Sequence, residues 1–461
     1  MFKVFIGSWA LFIGMFMLMI GNGLQGTLLG VRGEIEGFTT FEMSIIMSAY
    51  FAGFLVASRS VPRMLARVGH VRVFAALGST ISAILILYPA LTEPWAWTLG
   101  RVMIGFCFCG VYITAESWLN DAATNENRGS TLSLYMIVQM GGIVAAQYVL
   151  VLGDVSGFIL FIVPSVLVSL AFAPILLSVG VAPTFQTTKP LSIPTLIRTS
   201  PLACMGMFLL GGVFAAQFGM SAVYGTRVGL SVPQISLMVS VTYLSALLLQ
   251  FPIGWLSDRM DRRLLIIGLS LAGGIGAGLS FFVPIVTAWF DTGIGVPGDD
   301  VGRDFYFGLI LVSAGFAGGM SNPLYALLIA YANDFVARED MAAASGGLLF
   351  VNGMGAIAGP IVVGWMMDSL GNNGFWAFVS ALLLTLAAYG TWRMLRRPAT
   401  TAVDTLVPYA PITSSATPVF AEVAQEVYLD AEVTAERASA ERENAEWDDD
   451  AWDADKAGTE G

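Results

Sequence analysis

The sequence predicts an all-α integral membrane protein of twelve transmembrane helices in two six-helix pseudo-repeats, with both termini cytoplasmic. Three observations carry that expectation: 461 residues that are 56% hydrophobic and only 12% charged, twelve long apolar runs between the charges, and a lopsided placement of the basic residues. A soluble chain of this size carries about a quarter charged residues, so there is too little polar surface here to cover a water-facing body. The mean hydropathy of +0.74 agrees. The formal net charge of −11 belongs to a tail: residues 398–461 hold 15 Asp and Glu against Arg437, Arg442 and Lys456, and the first 397 residues are close to neutral. A body with no basic excess excludes a nucleic-acid-binding class.

A membrane helix needs about 20 predominantly apolar residues, and charge at its centre is costly. The runs lie at 4–31, 43–58, 73–92, 102–115, 129–153 and 155–188, then at 199–226, 228–257, 264–290, 305–333, 341–367 and 369–392. The first follows Lys3 and lacks a small-residue cleavage site, so it reads as a retained span rather than a signal peptide. Loop charges orient the set. With the N-terminus inside, fifteen basic residues fall on the cytoplasmic side, among them Arg59, Arg63, Arg67, Arg72, Arg128, Arg259, Arg262 and Arg263; only Arg32, Arg227 and Arg303 fall opposite. The segment 180–201, with four prolines and little continuous hydrophobicity, separates the spans six and six. The expected organisation is a bundle at 1–179, a cytoplasmic linker at 180–201, a second bundle at 202–397 and a disordered acidic cytoplasmic tail at 398–461.

An internal repeat supports the division. A shift of 192 residues places Gly37, Ser44 and Ser48 on Gly229, Ser236 and Ser240, Gln25 on Gln217, and Arg67 on Arg259. Later in each half the shift becomes 213, placing Asn120–Asp121 on Asn333–Asp334 and Gly142 on Gly355. An insertion in the loop DTGIGVPGDDVGRD before the tenth span accounts for the change.

The sharpest motif is GWLSDRMDRR, Gly254 to Arg263, between spans eight and nine. Gly254 permits close helix approach, Asp258 can pair with arginines or accept from a helix N-terminus, and Arg259, Arg262 and Arg263 hold the loop at the membrane surface. This loop resembles the signature of the major facilitator superfamily, glycine-x-leucine-x-aspartate-arginine followed by basic residues. The resemblance covers residues 1–397 and implies secondary transport. The equivalent first-half loop, PRMLARVGHVR, is degenerate: Pro62 and Ala66 replace the glycine and the acid, while Arg67 and Gly69 remain. The single histidine, His70, sits at a usually basic position, which suits a plain positive-inside loop better than a pH sensor. SAYFAGFLV (48–56), Trp95 and Trp97 ahead of Arg101, Glu116–Ser117 and ENRGSTLSLYM (126–136) are similar to the YcaD-type bacterial branch of the superfamily.

Arg101 opens RVMIGFCFCG in the fourth span and resembles the superfamily's fourth-helix arginine–glycine motif, with Gly105 and Gly110. The resemblance implies a role in substrate binding or proton coupling; snorkelling to the outer headgroups is the structural alternative. Glu116 lies fifteen residues further on, about 22 Å along the helix, so it is out of reach of Arg101. It suits an ion pair with Arg128 or a second-half arginine at an inner gate, ahead of proton coupling. No Asp or Glu lies inside spans one, seven or ten, where many proton-coupled members of the superfamily place one, and that weakens a drug–proton antiport reading. The remaining cavity residues are neutral: Asn22 and Gln25, three apart on one helix face, then Gln217, Asn322, Tyr325 and Asn352. Amides in a bilayer need partners, either another helix or a water-filled path; at Gln25 and Gln217 the repeat favours the path. NGMGAIAGP (352–360) brings close-packing glycines, and Pro360 a kink.

Cys107, Cys109 and Cys204 lie in apolar runs and read as small core residues rather than a metal or redox set. No phosphate loop, metal cluster or nucleophile constellation is visible, so neither cofactor nor enzymatic activity is expected. The tail is polar and acidic, and reads as solvated. Trp447 and Trp452 among its acids are the alternative, a short motif for a cytoplasmic protein. The expectation is a monomeric multi-pass protein of the bacterial inner membrane that moves a small solute by alternating access, with or without proton coupling. Asn22, Gln25, Arg101, Gln217, Asn322, Tyr325 and Asn352 form its pathway. Gly254, Asp258, Arg259, Arg262, Arg263, Arg67, Glu116 and Arg128 form its inner gate. The rival is a transporter-like membrane sensor or assembly factor acting through the acidic tail.

Overall fold

A computed structural model of the chain describes residues 2–122, 128–178, 193–289, 300–337 and 340–396, together with Ile412 and Thr417. Among these the regular structure is helical. The first six helices are α1 (Phe2–Ile35), α2 (Thr40–Val68), α3 (His70–Leu87), α4 (Pro94–Ala122), α5 (Arg128–Leu152) and α6 (Ile159–Ser178). A short helix, α7 (Ile193–Thr199), precedes α8 (Pro201–Ala215), and α8 runs through a π-helical turn (Ala216–Met220) into α9 (Ser221–Arg227). Then follow α10 (Val232–Ser257), α11 (Arg262–Trp289), α12 (Asp300–Asn333), α13 (Met341–Leu370) and α14 (Gly374–Arg396).

Eleven of the helical stretches are long and apolar enough to cross a membrane. The sixth expected span forms α6, a 20-residue apolar helix (Ile159–Ser178), of which Ile159–Pro174 is an apolar stretch within the described residues. It starts late, after the bend around Asp154 and Ser156 (Asp154 Oδ1 accepts from the Ser156 amide at 2.9 Å), and it carries Pro164 and Pro174 within its length. The seventh expected span differs in another way. It is long enough, but its i→i+4 ladder is interrupted by the π-helical turn at Gln217.

The helix starts follow local chemistry. Before α2, Gly37 takes φ +77°, and Thr39 and Glu42 form a reciprocal capping box. Before α10, Gly229 takes φ +78°, and Ser231 and Gln234 form another. The positive φ is a region that glycine alone enters freely, and each box satisfies two amide donors otherwise orphaned at the helix end.

Helices α1–α6 pack on one another, with α2 on α4, α1 on α5 and α6, and α3 on α4 and α6. The later helices pack among themselves, α10 on α12, α8 on α13 and α14, and α11 on α12 and α14. The two groups meet where α1 touches α9, α2 touches α13 and α5 touches α10. Small residues let the backbones close at this seam. A Cβ added at Gly30 would fall 2.6 Å from Ala222 Cβ, and one at Gly364 would fall 2.7 Å from Ser44 Cβ. In lipid, association rests on such close packing rather than on burial from water. Large apolar side chains such as Leu248, Trp255, Ile275 and Leu395 are accordingly left on the outside of the bundle.

Candidate functional site

A buried polar cluster sits in the first group of helices, close to the seam. Asn22 donates through Nδ2 to the Tyr112 hydroxyl at 2.7 Å and, more weakly, to the Tyr50 hydroxyl at 3.5 Å. Gln25, one turn along α1, donates to Asn22 Oδ1 at 3.2 Å and accepts from Arg101 Nη1 at 2.9 Å. Arg101 Nη2 approaches Met47 Sδ at 3.3 Å, and the guanidinium lies 4.8 Å from the Tyr50 ring centroid. Three helices supply the cluster because Asn22 and Gln25 share one face of α1, Met47 and Tyr50 one face of α2, and each pair is three residues apart. Gly105 lets α4 in: a Cβ there would collide with the Tyr50 carbonyl.

Arg101 is fully buried, about 10 Å below the Pro94 end of α4. Of the two tryptophans ahead of it, Trp95 is exposed, while Trp97 is buried with its indole donating to the Tyr88 carbonyl at 3.1 Å. The guanidinium thus turns inward, away from the snorkelling alternative.

Across the seam stands the π-helical turn. Tyr50 packs against Phe218 with ring centroids 5.5 Å apart, and a Cβ at Gly219 would meet Met47 Cβ at 2.9 Å. Gln217 is buried with its Nε2 unpartnered. A π turn costs helix regularity and is found frequently at functional sites. The other expected pathway residues serve helix contacts: Asn352 Nδ2 donates to the Met207 carbonyl at 2.9 Å, Asn322 Nδ2 to its own-helix Gly318 carbonyl at 3.3 Å, and Tyr325 packs edge-on to Phe214 at 5.7 Å.

The seam is fastened at the end of the bundle that carries Ile35 and Arg227. Arg227 Nε lies 2.9 Å from Glu34 Oε2, and its Nη2 donates to the Phe38 carbonyl at 3.1 Å. Further in, Ser48 donates to the Ile357 carbonyl at 2.5 Å. Arg32 pairs with Glu36 at 2.6 Å and reaches the Val155 and Ser156 carbonyls. Glu34, Tyr50, Tyr112, Met47 and Phe218 are absent from the sequence-based site. Tyr50 lay within a motif already noted, SAYFAGFLV, but nothing in its local spacing announces a cation above its ring.

At the opposite end the signature loop is tied to α12. Arg262 donates to Asp334 at 2.5 Å and to Ser257 Oγ at 3.3 Å, and stands 3.7 Å from Asp258. Asp258 caps α10, its amide donating to the Gly254 carbonyl at 3.3 Å. Arg259 lies over the Trp255 ring at 4.2 Å. Arg263 pairs with Asp261 at 2.7 Å, and its hydrogen bond holds the Asp261 carboxyl below the usual carboxylate range. The pairs shown here stay within the second group of helices. Arg67 is exposed on α2, and the side chain of Arg128 lies outside the described residues. Glu116 is buried, accepting from the Tyr135 hydroxyl at 3.1 Å and from Thr417 of the tail. Thr417 and Ile412 are both buried; the rest of the expected disordered tail lies outside the described residues. His70 is buried with Nε2 3.2 Å from Ser117 Oγ. The three cysteines are buried and free, and no metal-competent cluster occurs among the described residues.

The chain matches the family model of the Major Facilitator Superfamily over residues 11–298 and 202–423. It belongs to that superfamily. Its similarity to the uncharacterized MFS-type transporter YcaD of Salmonella heidelberg (strain SL476) is 23% identity over 379 residues, 81% of this chain and 92% of the relative. An uncharacterized MFS-type transporter of Yersinia pestis (strain Pestoides F) is also 23% identical, over 79% of this chain and 89% of the relative. Among solved superfamily folds, the nucleoside transporter NupG aligns with TM-score 0.65 and 16% identity, covering 85% of this chain and 99% of that one. A bacterial homologue of the human lysosomal transporter Spinster, solved inward-facing and unoccupied, aligns with TM-score 0.59 and 14% identity over 93% and 98%. The chain is therefore a multi-pass membrane transporter of the MFS type.

Proposed function

We propose that the chain is a secondary transporter of the bacterial inner membrane, moving a small solute by alternating access between two six-helix halves, with both termini and the signature loop cytoplasmic. The observation that carries this reading is the seam: the halves meet along α1–α9, α2–α13 and α5–α10, and at the Arg227 end they are tied by separable contacts led by Glu34–Arg227. Such an interface can open as rigid bodies rock.

The pseudo-repeat behind the two halves draws support from contacts that map onto each other. Under the shifts of 192 and 213 residues, Tyr50 against Gly105 becomes Thr242 against Gly318, and Phe16 against Gly142 becomes Phe208 against Gly355; all four glycines make the corresponding close approach. The capping boxes at Thr39 and Ser231 correspond as well. On this reading α6 is the sixth of twelve spans, and the chain acts as a monomer.

Spin labels on Glu93 and Asp368, at the Arg227 end of the two halves, test the motion. Pulsed dipolar measurements in lipid should give two distance populations whose ratio moves when Glu34→Gln loosens the seam. One unchanging population in both proteins rejects alternating access. The rival reading, a sensor working through its tail, has one observation in its favour, the burial of Ile412 and Thr417. Deletion of 398–461 separates the two readings: a transporter keeps its two-population exchange, whereas a tail-driven sensor loses it.

A further inference from the structure

The polar cluster leaves hydrogen-bond donors over and acceptors short. Arg101 is wholly buried, and among the described residues its partners are an amide oxygen, a thioether sulfur and the face of a tyrosine ring. No carboxylate stands within ion-pair distance of it among those residues, and Nε has no acceptor. Gln217, buried on the π-helical turn, likewise has a free Nε2 donor. The same two side chains link both donors: Met47 touches Arg101 and Gly219, and Tyr50 touches Arg101 and Phe218. A buried cation without a counter-ion is costly, and a thioether is a weak acceptor.

Building on the transport reading above, we propose that this part of the seam binds a small organic carboxylate as the transported solute. Its oxygens take the place of Met47 Sδ at Arg101 and accept from Nε and from the Gln217 amide. Tyr50 and Phe218 flank its apolar part. Arginine suits the role because its planar fork matches a carboxylate and its charge does not titrate away. The site is occluded with the seam closed, so the ligand enters when the halves part.

The test uses the purified full-length protein and matched probes of equal shape: benzoate with benzamide, nicotinate with nicotinamide, and lactate with lactamide, each at millimolar concentration. Binding to the folded state raises apparent thermal stability. At least one acid should raise the unfolding temperature by about 2 °C or more, its amide should not, and Arg101→Gln should abolish the rise. Gln25→Glu supplies the missing counter-ion in place, since Gln25 Oε1 already lies 2.9 Å from Arg101. It should raise the unfolding temperature of the ligand-free protein and cancel the response to the acid. Equal responses to acid and amide overturn the proposal, as does a response that survives Arg101→Gln, a Gln25→Glu protein that still responds, or silence from all three acids. Because the spin-label distances report the motion whatever the charge of the solute, such a failure leaves the alternating-access reading standing on its own test.

Discussion

Two arginines are buried among the described residues, and they are not used alike. Arg262, at the start of α11, meets Asp334 at 2.5 Å and Ser257 at 3.3 Å. Arg101, inside α4, meets no carboxylate among the described residues and keeps an orphan Nε–H. The paired charge closes a circuit within one half and joins the signature loop to α12. The unpaired one lies a single aromatic ring from the other half, where a second orphan donor waits on a π turn. Where the polypeptide supplies the counter-ion, the arginine is part of the frame. Where it does not, something that comes and goes is the better partner.

That contrast is most sharply broken at Asp334. Asp334→Ala leaves Arg262 buried with its principal anion gone, and losing one partner of a buried pair costs about 3–5 kcal/mol. Thermal unfolding of the purified protein should show a large downward shift or a collapse of folded yield. Arg101→Met is the counterpart. It keeps volume and removes an uncompensated charge while leaving Gln25 Oε1 short of a donor, so the net change should stay within about 1 kcal/mol in either direction. A fall at Arg101→Met as large as that at Asp334→Ala would make Arg101 a frame residue and erase the distinction.

Much of the frame was legible in the sequence, and much of the site was not. Helix positions follow from apolar runs and turn chemistry, and Gly37 and Gly229 stand with positive φ just before α2 and α10. The π turn at Gln217 leaves no such trace, since nothing in AQFGM announces it; in the fold its Phe218 and Gly219 lie against Tyr50 and Met47. Asn22, Gln25 and Arg101 were expected in one region, and the structure brings them into one hydrogen-bonded chain. Asn322 and Asn352 were expected beside them. Their amides are instead consumed by backbone carbonyls, the commoner fate of a buried amide and one that spacing alone does not reveal. Glu34 and Arg227 lie 193 positions apart, and only the fold tells that they meet.

The seam pair sharpens the comparison at a smaller scale. Glu34 and Arg227 are partly exposed, 46% and 29% at their side chains, so their attraction is screened and is worth at most about 1 kcal/mol. Glu34→Gln should therefore hardly move thermal stability. It should change the ratio of the two spin-label populations by at most about fivefold, in favour of the open Arg227 end. An unchanged ratio would mean that the small-residue contacts at Gly30 and Gly364 hold the seam unaided.

The smallest effect concerns the second pair of the signature loop. Asp261 accepts from Arg263 through both carboxylate oxygens and from the Arg263 amide at 2.9 Å, which keeps its folded pKa below its unfolded value. A lowered carboxyl contributes stability that is full above the unfolded pKa, near 3.8, and is lost as pH falls through the folded one. The side chain is one-third exposed, so solvent screening keeps the contribution to a few tenths of a kcal/mol, within the range of about 0–1 for such pairs. Asp261→Asn should lower the unfolding temperature slightly at neutral pH and by less at pH 3, below the unfolded pKa, where part of the contribution has gone. Equal shifts at both pH values would assign the effect to the turn geometry between α10 and α11 rather than to the charge. The charge that ties the loop to α12 would then be that of Arg262 with Asp334 and Asp258, and the contrast between the paired and the unpaired arginine would rest on those partners.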